Sequence, residues 1–340
     1  MDGDPALKAP WWLPGGNAQT IWSALYAHAP AAGTLPWRRE RWTTPDGDFI
    51  DVDRVEAPAA GGSAQPLLVL FHGLEGSSTS PYARAFAQLA LDRGWRYAVP
   101  HFRGCSGEIN WAPRAYHSGD HEEIGWVLDR LKAAHPTQPL VAVGISLGGN
   151  ALMRWAQEAG HTAAQRVAGV VSVSSPLDLA ASGAAIDRGF NRWVYARMFL
   201  QTMRRKAELK WRQFPGLFDL ERVRRATTLY EFDDVFTGPL HGFAGTRDYW
   251  HRAAAKPRMR DIRIPALALN ALNDPFVPAH SLPRATEVGP HVTLWQPAEG
   301  GHVGFCSSEA GGFPGQVMAM PERVCAWLAQ AMGREGGAHG

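Results

Sequence analysis

Residues 140–150 read LVAVGISLGGN, an apolar run that ends in Gly144-Ile145-Ser146-Leu147-Gly148 and continues into a helical pattern over 147–159. A G-x-S-x-G placed between a strand and a helix is the context that a nucleophile elbow requires. Glycines on either side of the serine allow a turn so sharp that a Cβ there would collide with neighbouring backbone. Ser146 is thereby lifted clear of the sheet, and Gly149 adds room behind it. The bland alternative is a glycine-rich turn carrying an ordinary serine. The strand before and the helix after favour the nucleophile.

Outward from this turn, short apolar runs alternate with longer helical patterns, which is the signature of a parallel sheet crossed by helices. The pattern predicts strands at 67–71, 97–101, 140–145, 167–173, 266–270 and 292–295, and helices at 80–93, 119–134, 147–159 and 315–333. Such near-continuous apolar runs suit strands covered on both faces. Upstream, residues 38–55 alternate as two strands joined at Pro45-Asp46-Gly47, so a hairpin is expected. Residues 1–36, with Trp11, Trp12 and an apolar stretch over 21–27, read as an arm packed on the body.

About 90 residues separate the strand ending near Val173 from the one starting near Ala266, where one short crossover would suffice. They contain an apolar helical face of Phe190, Trp193, Val194, Phe199, Leu200 and Met203, flanked by Arg192, Arg197, Arg204, Arg205 and Lys206. This reads as a helical cap over 181–260, inserted into a core formed by 37–180 and 261–333. Residues 334–340 are expected to form a flexible tail. The apolar face either covers a substrate pocket or packs on the sheet, and packing is the default.

A serine hydroxyl is a poor nucleophile unless a base takes its proton, and the usual base is an imidazole oriented by a carboxylate. Behind an elbow of this kind the chain order is Ser, then acid, then His. Asp274 follows the strand at 266–270 and His302 follows the next one, within Glu299-Gly300-Gly301-His302. Both fall where the loops of an open α/β sheet converge. Asp178, which also follows a strand, is the alternative acid. Oxyanion stabilisation needs two backbone N–H groups; Leu147 supplies one, and Leu74, in His72-Gly73-Leu74 after an early strand, the other. His72 is read as bracing that loop. The segment Arg103-Gly104-Cys105-Ser106-Gly107 lacks the spacing of a phosphate-binding fingerprint and reads as a tight loop beside the site. Tyr116, His117 and Asp120 either line the mouth of the site or begin a solvated helix. Cys306 reads as a small hydrophobe.

The chain has 340 residues, 45% of them hydrophobic, enough for a large core. Net charge is +2 with the basic residues scattered, so nucleic acid is not the expected partner. The acidic start, Met-Asp-Gly-Asp-Pro, lacks the basic and apolar regions of a secretory signal, and no apolar run nears the roughly 18 residues of a membrane span. Three cysteines without a paired or metal-ligand spacing read as free thiols in a reducing compartment, which predicts a cytoplasmic location. Neither a metal nor an organic cofactor is expected.

With these residues in hand, the chain resembles the YheT-like hydrolases and the related eukaryotic α/β-hydrolase-domain proteins. The resemblance runs from Asn17-Ala18-Gln19-Thr20 through His72-Gly73-Leu74-Glu75-Gly76 and Arg103-Gly104 to the elbow. It continues through Asp234, Gly242-Phe243, Asp248-Tyr249-Trp250 and Ile264-Pro265 to Asn273-Asp274-Pro275. It implies the α/β-hydrolase fold, a mostly parallel twisted sheet flanked by helices, and a carboxylic-ester hydrolase using Ser146, Asp274 and His302 through an acyl-enzyme. A thioesterase or acyltransferase would use the same groups, and a non-catalytic binding protein would keep only the fold. The expected partner is a small-molecule or lipid ester, with Tyr116, Trp193 and Phe199 as candidate substrate-binding residues. Peripheral contact with a membrane through Arg204-Arg205-Lys206 and the oligomeric state both stay open.

Overall fold

The computed structural model of the chain describes residues 7–27, 35–56, 65–307 and 313–336. Its strands are β1 (Arg38–Thr43), β2 (Phe49–Val55), β3 (Leu67–Phe71), β4 (Arg96–Pro100), β5 (Leu140–Ile145), β6 (Gly169–Val173), β7 (Ala266–Leu269) and β8 (Val292–Trp295). They form one sheet in the order β1-β2-β4-β3-β5-β6-β7-β8. The pairs β1–β2 and β2–β4 are antiparallel and the rest are parallel. The hairpin closes at the expected turn, where Gly47 takes a positive φ of 76° and its N–H donates to Thr44 O at 3.0 Å.

Every residue of β3, β5 and β6 is buried, because helices cover both faces of the sheet. The two-residue strand period divides β3 accordingly. Leu67, Val69 and Phe71 pack with α3 (His121–Ala134) and α4 (Leu147–Ala159), whereas Leu68 and Leu70 pack with α2 (Pro81–Asp92) and α12 (Ala319–Gly336). An N-terminal helix, α1 (Gly15–Leu25), stands beside the C-terminal edge of the sheet, against the loops that follow β7 and β8.

The boundaries differ from the sequence pattern in small, explicable ways. β4 ends at Pro100, although the His101 N–H still donates to Asp51 O at 2.9 Å. α12 begins at Ala319 rather than 315, because Gly315 sits at φ 76° and Gln316 is bridged to Ser307. It continues to Gly336, into the expected tail, of which 337–340 lie outside the described residues. Residues 1–6 and 28–34 of the arm also lie outside them.

Between β6 and β7 the chain is helical: α5 (Leu179–Ile186), α6 (Gly189–Asn191), α7 (Arg197–Gln213), α8 (Leu220–Arg225), α9 (Leu229–Phe232), α10 (Gly238–Leu240) and α11 (Thr246–Ala253). This insertion has an apolar cluster of its own, centred on Leu200, Ala207, Val223, Phe232 and Phe236. It rejoins the sheet through buried Asn150 of α4, whose Nδ2 donates to Ala253 O at 2.8 Å and whose Oδ1 accepts from Ala255 N at 3.0 Å. From there Ala255, Met259, Ile262 and Ile264 belong to the main core. Among the described residues no helix is long and apolar enough to cross a membrane.

Candidate active site

Ser146 sits between β5 and α4 at φ 50°, ψ −118°, a conformation that non-glycine residues rarely adopt and that costs on the order of 1–3 kcal/mol. Its surroundings enforce it. The Ser146 N–H donates to Val173 O at 2.8 Å. A Cβ at Gly144 would lie 2.4 Å from Gly149 Cα, and one at Gly148 would lie 2.5 Å from the carbonyl oxygens of Phe71 and His72. The two glycines are thus required by backbone packed directly on backbone.

The serine Oγ lies 3.0 Å from His302 Nε2. On the far side of the ring, His302 Nδ1 stands 2.9 Å and 3.2 Å from the two carboxylate oxygens of buried Asp274. A carboxylate only accepts, so Nδ1 carries the proton and Nε2 presents its lone pair to the serine. Asp274 Oδ1 also accepts from Phe276 N at 2.8 Å and Val277 N at 3.2 Å, which fixes the carboxylate plane. The Phe276 ring lies 4.2 Å from the imidazole, centre to centre. Asp178 is occupied elsewhere: it caps α5 and accepts from Ala181 N.

The loop after β3 approaches Ser146 from the other side. Its N–H groups are engaged on both flanks of Leu74, with Gly73 N donating to Tyr82 OH, Glu75 N to Tyr116 OH, and Gly76 N to Gly73 O. Leu147 opens α4, so its N–H is among those a helix leaves without an intrahelical acceptor. His72 braces the loop as expected. Its Nδ1 faces Gly73 O at 2.8 Å, its Nε2 accepts from Phe102 N at 3.0 Å, and complete burial pushes its pKa down to about 3, keeping it neutral.

Above the serine a cavity of about 140 Å³ extends into the insertion. Its wall is mainly apolar, with Leu74, Leu147, Tyr116, Phe199, Met203, Phe232, Phe236, Trp250 and Phe276. Tyr116, His117 and Phe199 are all part of this wall. Trp193 is not. It is 73% exposed and outside the cavity wall, whereas Leu200, seven positions on and on the same face of an uninterrupted α-helix, is buried. The π-helical turn Arg192–Ala196 resets the phase, so a single 3.6-residue stripe from Phe190 to Met203 does not exist. Asp120 is buried, accepting from Arg114 Nη2 at 2.5 Å, and is not part of a solvated helix start.

Several groups at the site carry no simple sequence signal. Glu75, at φ 57°, accepts through Oε1 from Tyr116 OH at 2.7 Å and from Lys206 Nζ at 2.8 Å, tying the loop after β3 to α7. Arg103 is buried among Asp46, Asp48 and Glu123 and anchors the tight loop that follows it. Asp233 lies in the cavity wall, its Oδ2 accepting from Trp250 Nε1 at 2.9 Å. Only Asp233 lies in a helical segment, where an acid among apolar neighbours could have flagged it; Glu75 and Arg103 lie in loops, whose sequences do not name their partners.

Burial, outweighing the hydrogen bonds from Thr237 and Trp250, pushes the Asp233 pKa up to about 7, from an ordinary value of 3.8. The folded protein therefore binds a proton between these values that the unfolded chain has released. Stability from this group is full below pH ~4 and is lost as pH rises through ~7. Asp233→Asn, which keeps the acceptor for Trp250, is expected to melt several degrees above the parent at pH 8 and to lose most of that advantage at pH 5. A difference in melting temperature independent of pH would contradict this.

Known proteins share this architecture. A family model described as alpha/beta hydrolase fold matches residues 66–308. A protein of Escherichia coli (strain K12) that carries the name "Putative esterase YheT" is 38% identical over 291 residues, 85% of this chain and 84% of that protein. Human phospholipase ABHD3 is 29% identical over 331 residues, 96% of this chain and 78% of the human one. Among solved structures, an esterase of Pyrococcus furiosus superposes with a TM-score of 0.54 over 88% of this chain and 93% of its own, at 16% identity, a likeness of fold alone.

Proposed function

The chain belongs to the α/β-hydrolase-fold family, and from that premise we propose that it cleaves carboxylic esters with Ser146, His302 and Asp274 through an acyl-enzyme. The observation that carries the reading is the unbroken line from Ser146 Oγ through the His302 ring to Asp274, at the floor of an apolar cavity. As Oγ attacks the ester carbonyl carbon, its proton passes to His302 Nε2. The carbonyl π electrons move onto oxygen, where the N–H groups of Leu74 and Leu147 hold the charge. Collapse of the tetrahedral species breaks the C–O bond to the alcohol, which leaves with the proton from Nε2. Water repeats the sequence on the acyl-enzyme and releases the acid. Labelling by a fluorophosphonate probe tests the reading. A folded protein that neither labels nor hydrolyses any p-nitrophenyl ester would overturn it.

The predominantly apolar wall favours an acyl chain or another lipophilic group of the ester as its occupant. Phe199→Ala and Met203→Ala enlarge the cavity from the insertion side, so both are expected to move the optimum along a series of p-nitrophenyl esters toward longer acyl chains. Trp193→Ala, altering only an exposed side chain, leaves the profile unchanged. Comparing kcat/KM across acetate, butyrate, octanoate and palmitate esters for the three variants checks this. A shift with Trp193→Ala alone would place the acyl group outside this cavity.

A further inference from the structure

Helix α1 lies upstream of residue 66, where the match to the hydrolase-fold model begins, yet its polar side chains reach both loops that carry the base and the acid. Gln19 is fully buried, and its Oε1 accepts from Gly300 N at 3.0 Å and from Asn273 Nδ2 at 2.8 Å. Asn273 Oδ1 accepts in turn from Gly301 N at 2.9 Å. Thr20 Oγ1 accepts from His302 N at 2.8 Å and donates to Gly16 O at 2.7 Å. Three consecutive backbone N–H groups, those of residues 300, 301 and 302, thus end on side chains of α1 or on the asparagine that α1 holds.

We propose that α1 is a clasp for the active site, in which Gln19 and Thr20 are positioning residues that set His302 between Asp274 and Ser146. The inference rests on the triad reading above. The loop after β8 has no strand partner for these N–H groups, and burying them unpaired is costly, so the side chains of α1 determine where the loop lies. The fit is backbone against backbone. A Cβ at Gly16 would lie 1.8 Å from Asn273 O, and one at Gly301 would lie 2.7 Å from Gly16 O. Asn17 Oδ1 accepts from Tyr195 OH at 2.9 Å, so the same helix also holds the insertion. A small displacement of His302 lengthens its contact with Ser146 Oγ, and misplacement by about 1 Å can cost a hundredfold in rate.

The test uses the full chain with p-nitrophenyl butyrate. Thr20→Val keeps shape and removes the acceptor for His302 N; it is expected to lower kcat by about ten- to a hundredfold, with KM within about twofold. Thr20→Ser, which restores the oxygen, is expected to recover most of that loss. Asn273→Ala, at a half-buried position, is expected to lower kcat in the same way and decides the matter if Thr20→Val fails to fold. The clasp is overturned if a folded Thr20→Val or Asn273→Ala keeps kcat within about twofold of the parent, or if only KM or the melting temperature changes. Ser146→Ala separates the two readings. Should it remain active, the triad reading falls; should it be dead while Thr20→Val is unimpaired, the clasp alone falls.

Discussion

Ser146→Ala is expected to give a folded protein that no longer reacts with a fluorophosphonate and turns over esters more slowly by a factor on the order of 10⁶. The change removes one hydroxyl from a position facing the cavity, so it opens almost no void and leaves the elbow intact. Alanine meets the same positive-φ cost that serine already meets at φ 50°. What disappears is the oxygen that His302 Nε2 faces at 3.0 Å. Any residual rate is expected to come from substrate binding and from the proposed oxyanion donors, the N–H groups of Leu74 and Leu147. Circular dichroism and a melting curve close to those of the parent, together with absent labelling, constitute the expected result. Turnover near that of the parent would remove Ser146 from the mechanism.

Asp274→Asn is expected to lower kcat by about 10⁴ with the fold unchanged. The hydrogen bonds around the carboxylate dictate how the amide must sit. Oδ1 accepts from two backbone N–H groups, those of Phe276 and Val277, so the amide oxygen takes that place. The amide nitrogen then replaces Oδ2, 2.9 Å from His302 Nδ1, and donates where the carboxylate accepted. Nδ1 becomes the acceptor, the ring proton moves to Nε2, and the imidazole can no longer take a proton from the serine. Asp178→Asn serves as the control. Asparagine caps a helix as well as aspartate does, so α5 stays intact and kcat changes little. The reverse ranking would make Asp178 the acid.

The elbow was legible in eleven consecutive letters because every constraint on it is local: a strand, a turn that glycine alone permits, and a helix. The strands were legible for a similar reason. Burial on both faces writes itself into sequence as an uninterrupted apolar run, and β3 and β5, buried throughout, match their expected ranges. Asp274 and His302 were singled out as candidates by chain order and by their position after strands, which is a rule of topology and needs no distances. Trp193 shows where periodicity fails. A π turn changes the residues per turn without a composition signal, so residues beyond it leave the face that a regular helix would give them.

Taken alone, then, the order of residues determined the parallel sheet, the elbow and the identities of the nucleophile, base and acid candidates, since each follows from neighbours along the chain or from the alternation of elements. Tertiary structure alone decided which side chains hold those groups in place. Gln19 meets Gly300 across 281 positions, Thr20 meets His302 across 282, and Lys206 meets Glu75 across 131. These are single hydrogen bonds between segments whose own sequences have no need of one another. A polar residue in an apolar helix announces that a partner exists, but its identity depends on how α1, α7 and the strand-end loops pack, and that is a property of the folded whole.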